Sequence, residues 1–154
     1  MPDVPLRGHA VKEIEKSERA DEMNISLTHS LENYLEIIYV MKNNKDGVRV
    51  TDLANSLSFS KASVNKAINT LKQKGMVVQE KYGKIILTEV GLEVARSIYE
   101  KHKLLSRFLI EVLGVKPCIA YIDACKAEHI LSLETITSIK NFLNKLDSCS
   151  QKSL

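Results

Sequence analysis

The chain has 154 residues, 44% hydrophobic and 27% charged, with a net charge of +3; this is the composition of an ordinary soluble protein, long enough for one compact domain or two small ones. Aromatic residues make up 5% and Trp is absent, which argues against a stacking platform for single-stranded nucleic acid. No run nears the ~18 consecutive apolar residues of a membrane span, and Met1 to Ala10 lacks the basic-then-apolar layout of a signal peptide, so the sequence reads as cytoplasmic, with no membrane partner.

Residues 1–26 are polar, rich in Lys and Glu, and read as a flexible N-terminal arm. Leu31, Tyr34, Leu35, Ile37, Ile38 and Met41 then recur at helical spacing, predicting a helix over Ser30–Asn43 capped by Thr28 or Ser30. Asn44-Lys45-Asp46-Gly47 ends it with turn chemistry. Val48-Arg49-Val50 is long enough only for a strand stub. Thr51 is placed to cap a short helix over Asp52–Leu57, and Ser60 to cap a second from Lys61 to Lys74, whose buried stripe is Val64, Ala67, Ile68 and Leu71. Gly75 is a natural C-terminal stop. Met76–Glu80 and Lys84–Thr88 read as strands joined by Lys81-Tyr82-Gly83. Helix, turn, helix and hairpin in this order form a winged helix-turn-helix DNA-binding domain, assigned to residues 27–89.

Charge agrees with that layout. Between Val48 and Ile86 seven basic residues oppose two acidic ones, a local +5, whereas residues 1–47 carry −3; a basic middle points to a polyanion-binding surface. Ser60, Lys61, Ser63, Asn65 and Lys66 open the second helix of the motif, where side chains meet base edges and phosphates of double-stranded DNA. Asn pairs bidentately with adenine, while Ser and Lys suit phosphate or guanine. Ser30, Arg49, Lys81, Tyr82 and Lys84 complete the candidate DNA-binding set. A winged helix used for protein contact is the competing reading, and lacks a reason for the basic surplus.

Three further helices are predicted, from Thr88-Glu89 to Gly114, from Pro117 to Leu131 and from Leu133 to Leu146. They carry more apolar surface than a small DNA-binding head requires, which points to pairing across a twofold axis as a homodimer. Residues 90–147 are assigned to this helical domain and 148–154 to a polar tail. Cys118, Cys125 and Cys149 are an odd number, so no disulfide framework is expected. Cys125, Glu128 and His129 share one face if Asp123–His129 is helical, and thiolate, carboxylate and imidazole are transition-metal ligands. By spacing alone the same face also reads as a half-buried helix seam. His102 beside the long helix's apolar stripe, and Glu36 one turn after Asn33, add two candidates that would otherwise be a hydrogen-bonded core histidine and a surface carboxylate. Cys125 with His129 as nucleophile and base lacks a second catalytic element, so no enzyme is expected.

The stretches Ser30-Leu31-Glu32-Asn33-Tyr34-Leu35-Glu36-Ile37-Ile38-Tyr39, Leu87-Thr88-Glu89-Val90-Gly91, His102 and Asp123-Ala124-Cys125-Lys126-Ala127-Glu128-His129 resemble the diphtheria toxin repressor and manganese transport regulator family of metal-dependent repressors, over roughly Leu27 to Leu146. The resemblance implies a mainly α fold, a winged helix followed by an α-helical metal-binding and dimerisation domain, in the short two-domain form. It implies a metal site of Asn33, Glu36, His102, Cys125, Glu128 and His129. Asn33 stands where the family has Asp or Met, Glu36 matches the manganese branch, and Cys125 matches the iron branch. An ancillary site of the iron branch is replaced by Ser106 and Tyr121. A thiolate favours Fe2+, with Mn2+ next, and Co2+, Zn2+ or Ni2+ as substitutes. The implied function is repression of metal-uptake genes by a metal-stabilised dimer on operator DNA; the alternative is a winged-helix regulator answering to redox change at Cys125 or to another signal without metal.

Overall fold

The computed structural model describes residues 27–42, 47–80 and 83–151. The arm 1–26, the hairpin residues Lys81 and Tyr82, and residues 152–154 of the tail lie outside the described residues. In chain order the elements are α1 (His29–Lys42), α2 (Val50–Leu57), α3 (Lys61–Gln73), β1 (Val77–Gln79), β2 (Ile85–Leu87), α4 (Glu89–Glu111), α5 (Pro117–Ala127) and α6 (Leu133–Gln151). The fold is mainly α with one small sheet. Contacts divide the chain into two compact units, one ending at Ser97 and the other beginning at Ile98.

The first unit is built on a single apolar core. Leu31, Tyr34, Leu35 and Ile38 of α1 pack with Leu53 and Ala54 of α2 and with Val64, Ile68 and Leu71 of α3. The three- and four-residue spacing puts the α1 and α3 sets each on one helix face, and burying a side chain such as Leu35 or Ile68 stabilises by about 1.5–3 kcal/mol. Thr28 Oγ1 accepts from Leu31 N (3.4 Å), settling the cap of α1. The predicted cap at Thr51 is corrected: α2 begins at Val50, and Asp52 Oδ2 accepts from Arg49 N (3.4 Å). The Asp52 and Leu53 amides donate to the Arg49 carbonyl, which places Thr51 inside the first turn rather than ahead of it. Ser60 does cap α3, its Oγ accepting from Ser63 N at 3.1 Å.

β1 and β2 pair antiparallel, Val77 opposite Leu87 and Gln79 opposite Ile85, and Val48 adds a bridge to Ile85. Val77, Ile85 and Leu87 turn into the core while Val78 and Ile86 face out, the alternation of a half-buried hairpin. Gly75, with φ +71°, ends α3 in the left-handed conformation that glycine adopts without strain.

In the second unit Leu105 of α4, Ala124 of α5 and Ile136 of α6 form the centre, with Leu104, Leu109, Ala127, Leu131 and Ile139 packed round them. Gly114 (φ +67°) and the bond from Val115 N to Leu109 O (2.9 Å) close α4, a capping pattern that satisfies an end carbonyl. Two predicted limits are corrected here. α5 stops at Ala127, because the Ala127 carbonyl turns the chain by accepting from both Ile130 N and Leu131 N, and Ser132 Oγ caps α6 through Thr135 N (3.2 Å). α6 runs beyond Leu146 to Gln151. Its polar extension is held by Arg107, which pairs with Asp147 through both guanidinium ends, and by Ser148 and Ser150, which donate back to Asn144 and Leu146 carbonyls.

Candidate metal centre and nucleic-acid interface

Burial of Val64, Ile68 and Leu71 fixes which side of α3 is left outward: Lys61, Ser63, Asn65 and Lys66 are all exposed. The Ser60 hydroxyl is engaged at the cap, also lying 2.9 Å from Ser63 Oγ. Ser30 in the first turn of α1, Arg49 ahead of α2 and Lys84 ahead of β2 are exposed as well. Lys81 and Tyr82 fall outside the described residues. An open groove of about 420 Å³ is lined by Ser30, Tyr34, Phe59, Ser63 and Lys66. Phe59 escaped sequence reasoning: it is 52% exposed in the turn before α3, and its ring lies 6.3 Å from that of Tyr34. The signal was an aromatic residue set directly before a helix cap. Burial raises the Tyr34 hydroxyl above its ordinary pKa of 10.0, so it stays a neutral donor at physiological pH.

In the second unit the chemistry gathers on Glu128. This carboxylate is 4% exposed. Its Oε2 lies 3.0 Å from His102 Nδ1 of α4, and its Oε1 lies 3.4 Å from His129 Nε2. Two imidazoles from different segments therefore flank one carboxylate. His129 sits in the turn beyond the end of α5. Cys125 is half-buried one turn earlier on α5. Glu128 Oε1 has no hydrogen-bond partner among the described residues, and neither has the buried Ser106 hydroxyl. A buried carboxylate oxygen left without a bond costs about 1–3 kcal/mol or more. A divalent cation removes that cost, and nitrogen, oxygen and sulfur donors suit first-row transition ions. The residues present fit such an ion.

Tyr121, exposed on α5, stacks on the His102 ring with centroids 6.3 Å apart and planes 10° apart, where the iron branch would hold a second histidine. In the first unit, Asn33 is half-buried and Glu36 is 9% exposed, one turn apart on α1.

Residues 26–85 match the iron dependent repressor N-terminal DNA binding domain, and residues 88–153 the iron dependent repressor metal binding and dimerisation domain. An "uncharacterized HTH-type transcriptional regulator" of Methanocaldococcus jannaschii is 39% identical over 120 residues, 77% of this chain and 96% of that protein. The HTH-type transcriptional regulator MntR of Listeria monocytogenes is 37% identical over 112 residues, 73% of this chain and 78% of that protein. The chain belongs to the diphtheria toxin repressor and manganese transport regulator family of metal-dependent transcriptional repressors. Members are regulators, not enzymes. Among solved structures the manganese regulator SloR superposes with a TM-score of 0.67 at 28% identity, over 74% of this chain and 53% of that one, so this repressor spans about half the length of that relative. Among the described residues no helix is long and apolar enough to cross a membrane.

Proposed function

We propose that this metal-dependent repressor is a cytoplasmic homodimer whose affinity for operator DNA rises when a divalent ion binds, and that it represses metal-uptake genes. The observation that carries the reading is the buried Glu128 carboxylate between His102 and His129, whose Oε1 accepts no hydrogen bond and lies 3.4 Å from His129 Nε2. The proposed ligands are Asn33, Glu36, His102, Cys125, Glu128 and His129. A bound ion supplies a compact double positive charge on which these donors converge. Glu128 would hold it with the oxygen that accepts no hydrogen bond, His102 and His129 would present ring nitrogens, and Cys125 would offer a thiolate or its carbonyl.

Ligands from the first helix and from the later helices make one arrangement of the chain the best metal binder. If that arrangement also sets the spacing of the two α3 helices in the dimer to match half-sites on DNA, metal shifts the population toward the DNA-competent state. Ser30, Arg49, Lys61, Lys66, Lys81, Tyr82 and Lys84 are the proposed contacts to phosphate and groove edges, with Ser60, Ser63 and Asn65 at the bases. Fe2+ is supported by the Cys125 thiolate, and Mn2+ by the carboxylates and by the manganese regulator among the relatives. Operator affinity measured anaerobically with chelator, with Fe2+ and with Mn2+ tests the reading. Tightening by either ion supports it, and equal affinity in all three conditions overturns the metal switch.

A further inference from the structure

We infer that Thr88 is a positioning residue that joins the exit of α3 to the entry of α4, and that the metal response reaches the DNA-reading helix through this joint. The inference rests on the function proposed above. Thr88 Oγ1 accepts from Gly91 N at 3.0 Å, an ordinary helix cap. It also lies 2.6 Å from the Gly75 carbonyl and 3.1 Å from the Met76 carbonyl, and its single proton serves these two oxygens. Capping α4 requires neither of those bonds. Thr88 N donates to Met76 O as well, at 3.0 Å.

Gly91 completes the joint. A Cβ at this position would lie 1.8 Å from Met76 O, so the first turn of α4 rests directly on the backbone that leaves α3. Met76 itself is fully buried, and its N–H donates to Leu71 O in the last turn of α3 (2.9 Å). Helix exit, loop and helix entry are thus tied by backbone bonds through one hydroxyl. α4 continues without interruption to Glu111 and carries His102, whose ring nitrogen faces Glu128. His102 is thus carried on the same helix whose first turn rests on the exit of α3.

Two substitutions separate the roles. Thr88→Val removes cap and clamp together. Thr88→Asp keeps a good capping acceptor but, ionised, has no proton to give the carbonyls. Thr88→Ser keeps both. Operator affinity is measured with Mn2+ and with chelator, alongside Mn2+ affinity of the free protein. In the unaltered protein metal is expected to tighten operator binding by on the order of 5–150-fold. Thr88→Asp is expected to bring that ratio below about threefold while Mn2+ affinity of the free protein stays close to unaltered, and Thr88→Ser to restore the ratio. A ratio that survives Thr88→Asp overturns the clamp, including the case in which affinity falls equally with and without metal, as a purely structural role would give. Should Thr88→Val fail to fold, Thr88→Asp still decides. An unaltered protein indifferent to metal overturns the functional reading itself, which is a different result from coupling that persists in the variants.

Discussion

The two units are held together by different means. The first closes a continuous apolar core, Leu35, Ile38, Val48, Leu53, Val64, Ile68, Leu71, Met76 and Ile85 all being at most 1% exposed. The second has a smaller centre and buries the Glu128 carboxylate, as the first buries Glu36, and it leaves more large apolar side chains outward, Leu113, Ile119, Tyr121, Ile122, Ile130, Leu133, Phe142 and Leu146 against Val40, Phe59, Val78 and Ile86. A unit that buries a carboxylate and shows this many apolar side chains is poorly satisfied alone. The matched domain is described as metal binding and dimerisation, and both would supply what it lacks. The lesson is that the DNA-reading unit is specified by patterning, whereas the sensing unit depends on what binds it.

The largest effect should come from attacking the core of each unit. Ile68→Ala is expected to cost the first unit about 2–5 kcal/mol, read from the denaturant midpoint, and metal should recover less of it than in the second unit, since only Asn33 and Glu36 of the proposed ligands lie there. Leu105→Ala should cost the second unit a similar amount, but metal at about 100 times its Kd should return about 2.7 kcal/mol by mass action. Equal rescue of both variants would erase the contrast between the units.

Glu128→Gln, which keeps shape and removes charge, should weaken metal binding by about 10–100-fold in a chelator competition, with metal-free DNA binding unchanged. Next in size, Lys66→Ala should lower operator affinity uniformly across sequences and reduce the salt slope by about 1. A loss confined to one base position would instead make Lys66 a base reader. The smallest effect concerns the Arg107 to Asp147 pair that extends α6. The Arg107 hydrogen bonds hold the Asp147 carboxyl below its ordinary 3.8, and the Arg107 guanidinium is raised in turn by Asp147 and then Glu111. Because the carboxyl is depressed in the fold, its contribution is full above 3.8 and is lost as pH falls through the lower folded value. Both groups are exposed, so Asp147→Asn should lower Tm only slightly at pH 7, and the difference should vanish in strong acid.

The first unit was readable in the sequence because its signals are local. Val64, Ile68 and Leu71 mark a face, Ser60 a start and Gly75 an end. Thr51 misled because the helix starts one residue earlier, at Val50, with the Asp52 and Leu53 amides already donating to the Arg49 carbonyl. In the second unit the ligand-like residues were visible, but their geometry was not. Helical continuation to Leu131 is the natural reading of Cys125, Glu128 and His129; the turn after Ala127, closed by its carbonyl accepting from Ile130 and Leu131, has no local marker. The extension of α6 to Gln151 was hidden too, since Arg107 and Asp147 are forty residues apart in sequence. The Thr88 joint was legible as a cap alone, because its other bonds reach back to Gly75 and Met76.

The central claim is that metal and operator DNA favour the same arrangement of this chain. By linkage, DNA must then strengthen metal binding by the factor with which metal strengthens DNA binding, on the order of 5–150-fold. Mn2+ or Fe2+ affinity measured anaerobically, with and without saturating operator duplex at one salt concentration, reads that factor directly. The account predicts tighter metal binding on the duplex, with the gain abolished in Glu128→Gln. Identical metal affinity with and without operator would contradict it.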